Sequence, residues 1–129
     1  MKNRVLVSLV LFIVLTSLIH IALAGSNSDE VFDSASVFLS STKTASFNAE
    51  TTEFHNSIMV TQVCLYKKIG NTWIFQRYLP APTTEATNLD VFTASMDYSS
   101  YIGTGTYRIH ATFTADGHSI SRYSNTITY

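Results

Sequence analysis

The sequence contains a single cysteine, Cys64, in 129 residues, so the chain cannot form an internal disulfide. Small exported domains often use disulfides to support a small core, and here the core has to hold the fold without one. Cys64 lies in the apolar stretch Met59–Tyr66, and we expect it to pack as a small buried hydrophobic group. The alternatives are an intermolecular disulfide and a catalytic thiol, which would need a neighbouring histidine that the sequence does not indicate.

Charged residues are also scarce. Asp, Glu, Lys and Arg make up 13% of the chain, the formal net charge is -1, and the charges are scattered along the sequence. Nucleic acids require clustered Lys and Arg, and anionic membrane surfaces do so as well, so we expect neither as a partner. The sequence also lacks a Gly-x-Ser-x-Gly elbow, an Asp-rich calcium loop and a glycine-rich phosphate loop. We therefore expect that the protein is not an enzyme and that it binds no metal and no cofactor.

Residues 1–24 are typical of a cleavable secretory signal peptide. Lys2 and Arg4 give a positive start, the stretch Val5–Leu18 is almost wholly apolar, and Ala22-Leu23-Ala24 is a small-x-small cleavage site. The alternative is an uncleaved membrane anchor, but a bilayer core needs about 20 apolar residues and this run is slightly shorter. We predict cleavage after Ala24 and a secreted, extracellular product that contacts the membrane only through the signal segment before cleavage.

The rest of the chain predicts a flexible leader over residues 25–33 and one all-β domain over residues 34–129. No stretch keeps helical periodicity, whereas period-two alternation recurs. The clearest strand is Thr106–Thr114, which places Tyr107 and Ile109 on one face and Arg108 and His110 on the other. The remaining predicted strands are Ser36–Ser40, Thr44–Thr51, Ile58–Lys68, Thr72–Leu79, Val91–Met96 and His118–Tyr129, with a loop over Pro80–Asp90. About seven short strands of this kind predict an antiparallel two-sheet β-sandwich.

Two details of the strands depend on the register. A three-residue loop that ends at Gly117 would turn Tyr123 and Ile127 inward, whereas a two-residue Asp116-Gly117 turn would turn both outward, so we expect the three-residue loop. In the hairpin around Gly70-Asn71, the pattern leaves open which face of the second arm is buried, and Trp73 is the better candidate for a core anchor.

The stretch Gly105-Thr106-Tyr107-Arg108-Ile109 resembles the strand that carries the tyrosine corner of immunoglobulin-like sandwiches, with Ile109 in place of the core cysteine. This resemblance implies immunoglobulin-like architecture rather than antibody membership. The chain also resembles small exported proteins of Firmicute bacteria that are grouped as domains of unknown function, a family without assigned catalytic residues. The features that carry this resemblance are Val63–Lys68, Trp73, Gly105-x-Tyr107-Arg108 and Ser124-x-Thr126.

Three functions remain open on the sequence alone. The first is surface binding of a cell-wall component, a carbohydrate or a protein through exposed tyrosines. Tyr66 and Tyr78 are candidates, and Tyr98 and Tyr101 in a Tyr/Ser-rich loop are the two binding residues that we select. The alternative for these tyrosines is packing at the end of the sandwich.

The second function is a small secreted hydrolase that uses His55 with Glu50, Glu53 or Asp90, although the sequence spacing does not bring any of these groups together. The third is a bacteriocin-like toxin, and the acidic balance of the exported chain argues against a direct attack on anionic membranes.

Overall fold

The computed structural model describes residues 30–129, which form nine strands and one short 3₁₀ turn at Ser99–Tyr101. The predicted signal peptide, its cleavage site after Ala24 and most of the predicted leader lie outside the described residues. Over residues 30–129, no helix has the length and apolar character needed to cross a membrane. The strands are β1 (Phe32–Leu39), β2 (Thr44–His55), β3 (Ile58–Ile69), β4 (Thr72–Leu79), β5 (Glu85–Ala86), β6 (Leu89–Asp97), β7 (Thr106–Ala115), β8 (His118–Tyr123) and β9 (Ile127–Thr128).

These strands form two antiparallel sheets. Sheet A has the order β1-β2-β6, and sheet B has the order β4-β3-β7-β8, with β5 added to β3 and β9 added to β7. The prediction of an all-β, two-sheet antiparallel sandwich is therefore confirmed, and the strand order is that of an immunoglobulin-like sandwich. Strand β1 begins at Phe32, within the stretch predicted as a leader, and β5 interrupts the predicted Pro80–Asp90 loop.

The core lies between the two sheets and is formed by alternate residues of each strand. Every second residue of β7 from Tyr107 to Ala115 is buried, as the sequence predicts. Phe113 of β7 packs edge-to-face against Phe47 of β2 and Phe92 of β6, with ring centroids 6.4 and 6.3 Å apart. These three rings join the two sheets, since large buried aromatic groups contribute most to a core of this size.

The turn between β7 and β8 differs from the prediction. It is a two-residue turn in which Asp116 has φ 45° and Gly117 has φ 87°, and it pairs Ala115 with His118. This is the type I′ geometry, whose twist matches that of the flanking strands and which Asp-Gly favours. The expected three-residue loop is wrong because Ile120, opposite Phe113, supplies the inward-facing group of β8.

The pairing of the last residues with β7 changes register after β8. This change explains the positions of Tyr123 and Ile127, the two residues on which the expected three-residue loop was based. Tyr123 pairs with His110 and is exposed on the outer face. After β8 the strand is interrupted at Ser124. The hydroxyl of Ser124 accepts a hydrogen bond from the amide of Ile109, and the amide of Ser124 donates to the carbonyl of Ile109. Strand β9 then pairs with β7 in a register that is shifted by one residue relative to that of β8, so Ile127 packs against the core. A single register for residues 118–129 cannot describe both positions.

Trp73 lies on the outer face of sheet B, so the expectation that it anchors the core is wrong. The hairpin itself is confirmed, with Gly70 at φ 62° and Ile69 paired with Thr72. The register of β4 against β3 shifts at Gln76, which is the extra residue of a β-bulge. The bulge lets Leu79 face the core although Trp73 faces outward.

The fully buried Tyr98 and the half-buried Tyr129 connect the end of the chain to the rest of the sandwich. The hydroxyl of Tyr98 bonds to the hydroxyl of Tyr129, which donates in turn to the carbonyl of Ser40 at 2.7 Å. Burial, followed by the hydrogen bond to Tyr129, raises the pKa of Tyr98, so its hydroxyl remains a neutral donor. Tyr107 also behaves as a tyrosine corner, because its hydroxyl accepts a bond of 3.1 Å from the amide of Gly103.

We predict that Tyr129→Phe lowers the free energy of unfolding by about 1–3 kcal/mol, because it leaves the fully buried Tyr98 hydroxyl without an acceptor. Tyr98→Phe removes the donor itself and should cost less. The double variant should cost less than the sum of the two single changes, as measured by urea unfolding in a double-mutant cycle. Additive costs would show that the two hydroxyls are not coupled.

Candidate functional site

The outer surface of sheet B carries a cluster of aromatic and basic side chains, which we call the aromatic face. It arises from strand alternation, since the residues between the buried positions of β3, β4, β7 and β8 point away from the core. The aromatic face consists of Tyr66 of β3, Trp73, Phe75 and Tyr78 of β4, Arg108 and His110 of β7, and Tyr123 of β8.

The rings of the aromatic face contact one another across three strands. Tyr66 lies at the centre, with its ring centroid 5.8 Å from Phe75 and 6.3 Å from Tyr123. Phe75 is 5.1 Å from Tyr78. Although they pack together, Phe75, Tyr78 and Tyr123 keep 44%, 62% and 53% of their surface exposed. Single exposed apolar residues are ordinary, whereas a contiguous exposed patch is a candidate for an interaction site.

Arg108 is held within this cluster by aromatic rings. Its guanidinium carbon lies 4.3 Å from the ring centroid of Trp73, 4.2 Å from that of Tyr123 and 5.8 Å from that of Tyr66. These are cation–π distances. The Nε atom of Arg108 is buried and has no hydrogen-bond partner among the described residues. Arg108 is therefore a fixed cation whose hydrogen-bonding capacity the rest of residues 30–129 does not use up.

Apart from the two-residue strand β5, which carries Glu85, the charges of the described strands are separated by sheet, although they are scattered along the sequence. The four long strands of sheet B carry no Asp or Glu, and their basic residues are Lys67, Lys68, Arg77, Arg108 and Arg122. The strands of sheet A carry no Lys or Arg, and their acidic residues are Asp33, Glu50, Glu53, Asp90 and Asp97. Of the basic residues of sheet B, Lys68 pairs with Trp73 and Arg108 pairs with Tyr66, so these two lie on the same side as the exposed rings, and the aromatic face suits a partner with negative charge.

His110 stacks on Tyr123 with ring centroids 4.4 Å apart, beside Arg108. Burial, and after it the positive charge of Arg108, lowers the pKa of the His110 imidazole. The imidazole is therefore neutral at neutral pH, and the permanent charge within the cluster is that of Arg108.

We predict that Arg108→Gln raises the pKa of His110, because the variant removes the neighbouring positive charge. Titration of the imidazole protons by NMR measures this change. Arg77→Gln is the matched control, since Arg77 stacks on Tyr101 with its guanidinium 4.9 Å from that ring, away from the aromatic face. A pKa of His110 that does not change in Arg108→Gln would contradict the assignment.

Cys64 lies beneath the aromatic face, where it pairs with His110 on one side and Tyr78 on the other. Its thiol is free and buried, as the sequence predicts. Burial raises the pKa of the Cys64 thiol, which keeps it protonated near neutral pH.

The structure does not expose Tyr98 and Tyr101, the two tyrosines selected as binding residues, in the way the sequence analysis expects. Tyr98 is fully buried and bonded to Tyr129, so the expectation that it contacts a partner is wrong. Tyr101 is half-buried and packs against the core under Arg77. Tyr66 and Tyr78, the other tyrosines that the sequence suggests, do lie on the aromatic face. The sequence analysis missed Trp73, Phe75, Tyr123 and Arg108 as site residues, of which only Arg108 had a signal, its outward position in β7.

His55 does not meet any of the carboxylates predicted to act with it. Its Nδ1 lies 3.2 Å from the carboxylate of Asp116, which also accepts bonds from the amides of Asn56 and Ser57 at 2.9 and 3.0 Å. These bonds tie the β7–β8 turn to the connection between β2 and β3. The hydrogen bond from the Asn56 amide is the main cause that lowers the pKa of Asp116.

The predicted carboxylate partners of His55 are elsewhere. Glu53 and Asp90 line one shallow, open depression together with Thr52 and Phe54. Glu50 pairs with Val91 further along β2. In residues 30–129, His, Cys, Asp and Glu side chains form no group of three that could hold a metal ion.

We predict that Asp116→Asn destabilises the protein near neutral pH and that this difference shrinks as the pH falls below about 4. The pKa of an unfolded Asp is about 3.9, and that of folded Asp116 is lower, so the carboxylate stabilises the fold above the unfolded value and loses this effect as the pH falls through the folded one. Urea midpoints across the pH range measure the effect. An equal difference at every pH would show that the charge of Asp116 is irrelevant.

The described residues thus define a small all-β sandwich with an aromatic and basic outer face on one sheet. No protein-family model matches the chain, and the search of curated proteins finds none with significant similarity.

Proposed function

We propose that this chain is a secreted, non-catalytic β-sandwich protein that acts by binding a partner through the aromatic face. The observation that carries this proposal is the contiguity of exposed rings around an unpaired guanidinium. A soluble domain gains no stability from leaving Phe75 and Tyr78 partly in water, and a partner that covers them would release that surface from water. The contact surface is therefore the outer face of sheet B rather than the Tyr98–Tyr101 turn.

The composition of the aromatic face supports a protein partner. Trp, Tyr and Arg are the residues that contribute most of the affinity in protein–protein interfaces, and they are enriched at the centres of such interfaces. The ring planes of Tyr66, Phe75, Tyr78 and Tyr123 meet at 62–75° where they touch. They therefore do not share a plane on which a flat sugar chain could stack, and the uneven surface fits protein side chains better than a cell-wall polysaccharide.

Secretion and origin belong to the same proposal. The signal-peptide pattern of residues 1–24 supports export, with cleavage after Ala24. The resemblance to small exported Firmicute proteins of unknown function supports a bacterial origin, and it rests on a few motifs alone, chiefly Val63–Lys68 and Gly105-x-Tyr107-Arg108.

The test selects binders from a random peptide library displayed on phage, using the purified protein as the target. We expect the selected peptides to bind the double variant Phe75→Ser/Tyr78→Ser at least about tenfold more weakly, because exposed aromatic anchors dominate the affinity of such surfaces. Phe38→Ser is the matched control, since Phe38 is 56% exposed on β1 of sheet A. It should bind the peptides as the unchanged protein does.

Selected peptides that bind the double variant undiminished would overturn the proposal, and so would a failure to select any. In a parallel arm, isolated cell-wall polysaccharide replaces the peptides. Binding of the polysaccharide that depends on Phe75 and Tyr78 would show that the partner class is wrong.

A further inference from the structure

We infer that Arg108 is the receptor for a side-chain carboxylate of the protein partner, with the surrounding rings receiving the apolar residues next to that carboxylate. This inference rests on the proposed function and specifies the chemistry of the same face. It requires that Arg108 be unpaired, fixed and accessible to an anion, and the residue as a whole is only half-buried.

Arg108 is unpaired in the described part of the chain. No ion pair of residues 30–129 involves it, and its buried Nε has no acceptor. The long strands around it offer no Asp or Glu, and Glu85 lies at the far end of β3, where it pairs with Met59. A partly buried cation without a counter-ion is costly, so an incoming carboxylate would gain more here than at an ordinary surface arginine.

Arg108 is also fixed before any partner arrives. Trp73 and Tyr123 hold its guanidinium at 4.3 and 4.2 Å from their ring centroids, and the half-buried Tyr66 contacts it from β3. A guanidinium held in this way loses little freedom on binding, and pre-organisation of this kind raises affinity. Its planar fork matches the two oxygens of a carboxylate, which a lysine cannot do.

The rings around Arg108 select what lies beside the carboxylate. Phe75 and Tyr78 extend the exposed apolar surface from Tyr66 to the edge strand β4, and Tyr123 borders it on β8. An acidic residue flanked by apolar or aromatic residues would place its charge on Arg108 and its neighbours on the rings. Phosphate or sulfate would satisfy the charge but not the rings, so the proposed ligand is a Glu or Asp within an apolar segment.

The experiment titrates the ¹⁵N-labelled protein with the peptide acetyl-Phe-Glu-Phe-amide up to roughly 1 mM and follows amide shifts by NMR. The control peptide is acetyl-Phe-Gln-Phe-amide, which keeps the rings and removes the charge. We expect shifts on the strands of the aromatic face, at least about tenfold tighter binding of the Glu peptide, and weakening of that binding by added salt. Inorganic phosphate, tested alone, should bind more weakly than the Glu peptide.

Three variants test the role of Arg108 itself. Arg108→Gln should weaken binding of the Glu peptide about tenfold or more and leave binding of the Gln peptide unchanged. Arg108→Lys should retain only part of the preference for the Glu peptide, because lysine keeps the charge but lacks the planar fork of the guanidinium. Arg77→Gln removes one charge from the same sheet, beside Tyr101, and should change neither affinity. If Arg108→Gln does not fold, the comparison rests on Arg108→Lys.

The outcomes separate this inference from the proposed function. Equal binding of both peptides on the aromatic face, with no effect of Arg108→Gln, would overturn the carboxylate inference and leave the binding face standing. Phosphate that binds as tightly as the Glu peptide would also overturn it. Shifts confined to other parts of the protein, or no shifts with either peptide, would contradict both.

Discussion

The alternation of β7 is the constraint on which the rest of the structure depends. Tyr107, Ile109 and Phe113 are buried between the sheets, and this forces Arg108 and His110 outward. A slip of one residue would place a guanidinium in the core and the apolar groups in water, which is prohibitively unfavourable. The core that holds the fold without a disulfide therefore also determines the position of the cation within the aromatic face.

Because the long strands of sheet B carry no acidic residues, four of their cations contact aromatic rings instead of carboxylates. The pairs are Lys67 with Tyr107, Lys68 with Trp73, Arg77 with Tyr101, and Arg108 with Trp73 and Tyr123. Cation–π contacts are weaker than a desolvated ion pair and leave the positive potential largely uncancelled. These contacts therefore hold the cations against rings without cancelling their attraction for an anion.

The sequence predicts local features well and long-range ones poorly. The strand β7 and the Gly70-Asn71 turn follow from alternation and turn chemistry within a few residues. The Asp116-Gly117 turn was predicted in the wrong register because the chain realigns after Ser124, which no local pattern shows. Trp73 was misplaced by a bulge further along its strand. Tyr98 is buried by a contact with a residue that is 31 positions away. The separation of charge by sheet needs the strand order, so a linear reading sees only scattered charges.

The placement of Cys64 beneath the aromatic rings has a consequence for how this face can be observed. The thiol is buried between its cross-strand neighbours His110 and Tyr78, both of the aromatic face, and burial raises its pKa. Its rate of alkylation therefore depends on how often those rings move apart. A partner seated on the face would slow this reaction, and a loosened ring cluster would accelerate it. The rate at which the single cysteine is alkylated therefore reports how often the proposed binding surface opens.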